Sequence, residues 1–127
     1  MGAALVGLLT WIGVACFGAL GAVARFRVDS AVSARLPSDF PLGTLVVNLS
    51  GSFGLGMLVG ASLPHRILFL LGTGFGGGYT TFSTWMVESV RLGEVGDVEP
   101  LLRNLWLSMA AGLAFAAAGF YAGQALA

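Results

Sequence analysis

Lysine is absent from this chain, and its six positive charges are all arginine. With no lysine and no basic tail, the electrostatic footprint of a nucleic-acid binder is missing. Charged residues of both signs make up only 9% of the chain, where a soluble domain carries about 25%. The six acids, Asp29, Asp39, Glu88, Glu94, Asp97 and Glu99, fall between the apolar stretches and are expected in loops. One cysteine, Cys16, allows no intrachain disulfide and no cysteine metal cluster. It reads as a small core residue, since free cysteine is among the most buried residue types. The one histidine, His65, lies in a turn, so no nucleophilic triad or carboxylate pair can form at membrane depth. These absences argue against an enzyme.

What is present is apolar: 57% of the 127 residues are hydrophobic. Four stretches are long enough to cross a bilayer as helices, at about 3–24, 40–63, 67–87 and 102–126. The first lacks the basic n-region of a signal peptide and has about 20 apolar positions, so it reads as a span that stays. It ends at Arg25-Phe-Arg27, whose guanidinium groups can snorkel to the interface, and a loop with Asp29, Arg35, Pro37 and Asp39 follows. Pro41 suits the first turn of the second span. Pro64-His65-Arg66 makes a tight turn, and Glu88 to Arg103 reads as a charged loop with Pro100 opening the last helix. The expectation is one all-α, four-span domain over residues 1–127. Five of the six arginines flank the first and third spans on one side and Arg66 stands on the other. The positive-inside rule then puts both termini outside the cell.

The stretch Gly72-Thr-Gly-Phe-Gly-Gly-Gly-Tyr-Thr-Thr-Phe-Ser-Thr-Trp85 stands apart. The glycines from Gly74 to Gly78 work against a continuous helix, each costing roughly 1 kcal/mol relative to alanine. Thr80, Thr81, Ser83 and Thr84 then place four hydroxyls at bilayer depth. A third span broken in mid-membrane is expected here, and broken backbone is tolerated there only inside protein or along a wet cavity. Its freed carbonyls can bind a cation and its half-helix ends can face an anion. Asn48, mid-way along the second span, offers two donors and an acceptor; the competing role is an interhelical bond that only holds the fold. Ser50 and Ser52 read as packing or bonding back to their own helix. Asn104 and Ser108 share a face of the fourth span, with Asn104 near enough to the interface to be merely solvated. Phe82 and Trp85 share a face beyond the break, and aromatic ring edges carry partial positive charge suited to an anion. Gly56-xxx-Gly60 and Gly119-xxx-Gly123 fit close helix packing. Gly72-x-Gly74-x-x-Gly77 satisfies a dinucleotide fingerprint only as a string, because the βαβ context is missing.

Three motifs together resemble a known family: Gly21-Ala-Val-Ala-Arg25-Phe, Pro41-Leu-Gly-Thr-Leu-Val-Val-Asn48, and Thr73-Gly-Phe-Gly-Gly-Gly-Tyr-Thr-Thr-Phe-Ser-Thr84. They resemble the CrcB/Fluc fluoride channels over nearly the whole chain. The resemblance implies a passive fluoride-selective channel that lets cytoplasmic fluoride leak out across a bacterial cytoplasmic (plasma) membrane. It implies an antiparallel, inverted-topology dimer with pores along the subunit interface. A structural, untransported sodium ion is implied at the dimer centre, held by backbone carbonyls of Gly77 and Thr80. Asn48 is implied as the pore amide, Phe82 as the first pore phenylalanine, and Ser83 and Ser108 as pore hydroxyls. Arg25 matches an arginine that serves as an anchor or vestibule charge.

Two departures bear on this. Trp85 stands where a second pore phenylalanine is usual, although tryptophan also offers a ring edge and an N–H donor. The arginine bias exceeds what a chain inserting both ways needs. Together they motivate the alternative of a fixed-orientation subunit that pairs with a sister chain. A small multidrug-type exporter shares four spans and an antiparallel dimer, but needs an intramembrane carboxylate that the first span lacks. A non-conducting assembly subunit would not require the hydroxyl-rich break.

Overall fold

The computed structural model describes residues 1–96 and 98–127. Asp97, one of the acids expected in the loop before the last span, lies outside the described residues. Helix α1, Gly2–Arg35, has 34 residues and is therefore about 51 Å long, well beyond a hydrocarbon layer of about 30 Å. It continues through Arg25, Arg27 and Asp29, where a loop was expected. No glycine or proline interrupts the sequence between Gly21 and Pro37, and the helix stops just short of that proline, as the restriction on the preceding residue requires. Helix α2, Leu42–Gly60, starts directly after Pro41 and is shorter than the expected 40–63. Ser62, with φ 55°, makes the turn that follows.

The third segment is composite. It comprises α3 (His65–Leu68), a π-helical stretch (Phe69–Gly76), a single turn α4 (Gly77–Tyr79) and, after an interruption at Thr80, Thr81 and Phe82, α5 (Ser83–Glu94). The glycines do not break it. In hydrocarbon an unpaired peptide group is too costly, so Gly72, Gly74 and Gly76 stay hydrogen-bonded in a widened turn. The break comes after them, where polar side chains replace the lost backbone partners.

Helix α6, Val98–Leu126, starts earlier than expected, and α5 runs past Glu88 to Glu94. The charged loop of Glu88 to Arg103 is thus mostly helix. Glu99 sits in the first turn of α6, where the helix dipole favours an acid, and Pro100 lies inside that turn. Among the described residues, three helices are long and apolar enough to cross a membrane: α1, α2 and α6.

The two small-residue motifs turn out to be partners. A Cβ on Gly56 or Gly60 would run into the carbonyls of Ala116 and Phe120, and one on Gly119 or Gly123 into those of Phe53 and Met57. Hence α2 and α6 touch backbone to backbone, the most extensive pairing in the fold. Helix α1 lies against the π-helical stretch and α4, with Gly21 against the Phe75 carbonyl and Gly78 against that of Gly18.

The protomer has little hydrophobic interior. Val47 is the one large apolar side chain completely buried among the described residues, whereas Leu8, Trp11, Leu20, Phe26, Trp106 and Leu113 are exposed. Such a surface belongs against lipid or another apolar protein face. Cys16 is on that exterior and is not the core residue expected, because the face of α1 that meets the rest of the protomer is lined by glycines.

Candidate functional site: the break in the third segment

At the break, Thr80 turns extended (φ −76°, ψ 156°) and Phe82 resumes the helical direction (φ −90°, ψ −41°). Side chains take over several of the backbone groups at this point. Thr80 N–H and Thr80 Oγ1 both donate to Gly76 O, at 3.0 and 2.9 Å. Thr81 is held from the side by Asn48 of α2. Its N–H donates to Asn48 Oδ1, and Asn48 Nδ2 donates to Thr81 O, both at 2.9 Å. The side-chain amide thus pairs with both backbone groups of one residue, as a residue on a neighbouring strand would. Beyond it, Thr84 N–H donates to Thr81 Oγ1 at 3.2 Å, so the threonine caps the start of α5.

The pattern has a consequence for carbonyls. In an unbroken helix, Thr81 N–H would serve Gly77 O and Thr84 N–H would serve Thr80 O. Both donors are turned elsewhere, to Asn48 and to Thr81. Gly77 and Thr80 are therefore among the positions from which the regular helical donor has been withdrawn. Gly77 is exposed and Thr80 half-buried.

Asn48 retains one of its two amide hydrogens, since the other is committed to Thr81. Both roles weighed for it, a donor toward an ion and a bond that holds the fold, can therefore coexist on one side chain, with one donor rather than two left for a ligand. Ser83 is exposed, its hydroxyl 3.4 Å from that of Thr81. The Phe82 ring is 68% exposed and meets Trp85 edge-on, with centroids 5.6 Å apart and planes at 81°. Trp85 is half-buried, and its indole N–H donates to Asn104 O at 3.2 Å. That leaves the ring, and not the N–H, available at the surface.

Ser108 on α6 donates to Asn104 Oδ1 at 3.3 Å, so the shared face expected for these two residues is present. Asn104 is not solvated; at 1% exposure it is among the most buried side chains. It donates to Ser89 Oγ at 2.8 Å, and Ser89 donates to Trp85 O at 2.8 Å. Ser89 drew no attention in the sequence. Its one signal was its spacing, a helical turn after Trp85 and on the same face. Ser50 bonds back to Val47 O as expected, and also meets the Tyr79 hydroxyl at 2.8 Å.

Arg25 is half-buried part-way along α1 and lines a cavity of about 200 Å³ with Asp29, Thr44, Val47, Thr81 and Thr84. The cavity thus lies between α1 and the break. Beside it opens a larger polar recess of about 1160 Å³, lined in part by Asp29, Asp39, Thr44, Glu88 and Arg91. Thr44 donates to Glu88 Oε1 there. Burial raises the Glu88 pKa above its ordinary value, and Asp29 adds to the rise, against the opposing effects of Thr44 and Arg91. Arg103 lies 5.8 Å from the Phe40 ring centroid, a cation–π contact at that same end.

Residues 12–120 match the family described as "CrcB-like protein, Camphor Resistance (CrcB)". A protein of Mycobacterium bovis named "Fluoride-specific ion channel FluC 2" is 49% identical over 114 residues, covering 90% of each chain. One from Carboxydothermus hydrogenoformans, "Fluoride-specific ion channel FluC 1", is 42% identical over 104 residues, 82% of this chain and 85% of its own. A "Fluoride-specific ion channel FluC" of Syntrophotalea carbinolica is 41% identical over 118 residues, 89% of this chain and 96% of its own.

Proposed function

This chain belongs to the CrcB family, and from that premise we propose that it is a passive fluoride-selective channel, a multi-pass protein of the bacterial cytoplasmic membrane that relieves the cell of fluoride. The observation that carries this reading is the stapled break. Asn48, Ser83 and the ring edges of Phe82 and Trp85 gather neutral donors in one place, with no lysine or carboxylate among them. A small anion needs hydrogen-bond donors to replace its water, and neutral donors hold it without making a trap too deep to leave. Arg25, in the adjoining cavity it shares with Asp29, would supply positive charge to an approaching anion without being a ligand in the path. None of the six acids falls within the four apolar stretches read from the sequence, which favours a leak over a proton-coupled exchanger.

The dimer is part of the same proposal. Beside the break lies an open apolar groove of about 490 Å³ between Gly51, Gly54, Leu55, Leu71, Phe75 and Tyr79. A second, inverted copy set against this face would cover it and leave the ion paths along the seam, including Ser108. The family's structural sodium ion fits the donor set: hard backbone oxygens at Gly77 and Thr80, from which the regular helical donors are turned away. Two such carbonyls from each copy would give four oxygens. The ion's role would be to bind the broken segments together, without being carried.

A second reading keeps the same pore but makes the chain one half of a heterodimer in fixed orientation. Trp85 and the one-sided arginines favour it. The test is fluoride efflux from liposomes containing only this protein, with chloride as control and sodium present or absent. Fluoride-selective, sodium-dependent efflux supports the homodimer. Folded protein without efflux moves the function to a pair with a sister chain, and efflux of chloride at the fluoride rate removes the selectivity claim.

A further inference from the structure

The buried polar network between α5 and α6 has a direction that can be worked out atom by atom. The Ser89 hydroxyl donates its one hydrogen to Trp85 O at 2.8 Å. In its other contact, 2.8 Å from the Asn104 amide, Ser89 must therefore accept, which places Asn104 Nδ2 against it. The amide oxygen then faces Ser108 at 3.3 Å, and since that oxygen only accepts, Ser108 must donate. Asn104 is 1% exposed and Ser89 3%, so solvent offers neither a substitute partner. Turning the amide over would set an N–H₂ group against Ser108 and an oxygen against the Ser89 lone pairs. The Trp85 indole N–H, bonded to the main-chain oxygen of Asn104, keeps the two helices in this register.

Ser108 therefore directs its hydrogen at Asn104 and leaves lone pairs on its other side. An anion arriving at Ser108 meets those lone pairs until the hydroxyl swings round to it, and the swing leaves the buried Asn104 Oδ1 without its donor. This bond is the longest of the network, and so the one that yields. We propose that Asn104, oriented by Ser89, is a positioning residue that competes with fluoride for the Ser108 hydrogen and so keeps ion binding at that point shallow. The proposal rests on the fluoride path past Ser108 put forward above. A conducting site must hold its ion weakly enough to release it, and a neutral amide oxygen does so without placing a charge in the path.

The test is fluoride current as a function of fluoride concentration, with the protein in bilayers. Ser89→Ala does not alter Ser108 but removes the group that orients the amide; Asn104→Leu removes the competing oxygen. Each is expected to lower the fluoride concentration for half-saturation by roughly two- to tenfold, the equivalent of one net hydrogen bond. Neither should have any effect in a Ser108→Ala background, whereas a merely structural role would persist there. Effects that add to Ser108→Ala overturn the proposal, as does an unchanged half-saturation in both single variants while Ser108→Ala alters it. If Ser108→Ala itself conducts as the original chain does, the path past Ser108 fails and the inference falls with it. Should Asn104→Leu not assemble, Ser89→Ala decides the matter alone.

Discussion

Asn48→Ala is the substitution on which the account of the break depends most. It removes both bonds to the Thr81 peptide, N–H and C=O, each 2.9 Å long. A buried backbone group left unpaired costs about 1–3 kcal/mol, so a break that kept its shape would lose about 2–6 kcal/mol. The chain has one escape: Thr81 N–H can return to Gly77 O and lengthen α4 by a residue. That lowers the cost but takes a carbonyl from the proposed cation site. Either course predicts a lower unfolding temperature in detergent, and the second also predicts that more sodium is needed for half-maximal fluoride efflux. Asn48→Asp is the informative companion. It keeps an acceptor for Thr81 N–H but sets an oxygen against Thr81 O, and should fall between the original chain and the alanine variant when protonated. An alanine variant with unaltered thermal stability and an unaltered sodium response would refute the reasoning, since the break would then stand without its staple.

Other consequences can be measured on the same footing. Gly119→Ala drives a methyl group into the Phe53 carbonyl, and overpacking of this kind costs about 1–3 kcal/mol, whereas Gly7→Ala meets nothing within 4 Å and should leave thermal unfolding in detergent unharmed. Trp85→Phe gives up the indole bond to Asn104 O but keeps an aromatic edge beside Phe82; about 0.5–1.5 kcal/mol of stability should be lost while fluoride efflux persists. Glu88 lies just past the expected third span, with Asp29, Thr44 and Arg91 acting on it. Its pKa is raised in the fold, so its favourable contribution is complete below the ordinary value of 4.5 and is lost as pH rises through the folded value. Glu88→Gln should therefore raise the unfolding temperature at pH 8 and change it little at pH 4; the opposite order would show that its charge is welcome in the recess.

Much of this was legible in the residues themselves. Apolar length announced the long helices α1, α2 and α6, and the glycine run marked the third stretch as interrupted. What could not be read was the register of the interruption. Glycine propensity points to Gly74–Gly78, yet in hydrocarbon the deciding quantity is whether each peptide group finds a partner, and that depends on Asn48, which is 33 positions away in the chain. The length of α1 was hidden for a related reason. Arg25 and Arg27 look like an interfacial boundary, but a helix that borders a polar cavity carries an arginine without ending. Asn104 was misjudged because α5, and not a loop, packs over it. The small-residue motifs were correctly seen as contact faces, but sequence could not say that they face each other within one copy.

Helix α2 is engaged on two sides at once, by the glycine seam with α6 and by the amide that grips the interrupted segment. It is in effect the chassis of the chain, fixed on one side by backbone contact and on the other by a paired amide. On the channel reading proposed above, a path built along this frame would carry ions without α2 shifting against α6 or the break. Its throughput should then rise with temperature only as ion diffusion through water does, an expectation that efflux measured over a range of temperatures checks.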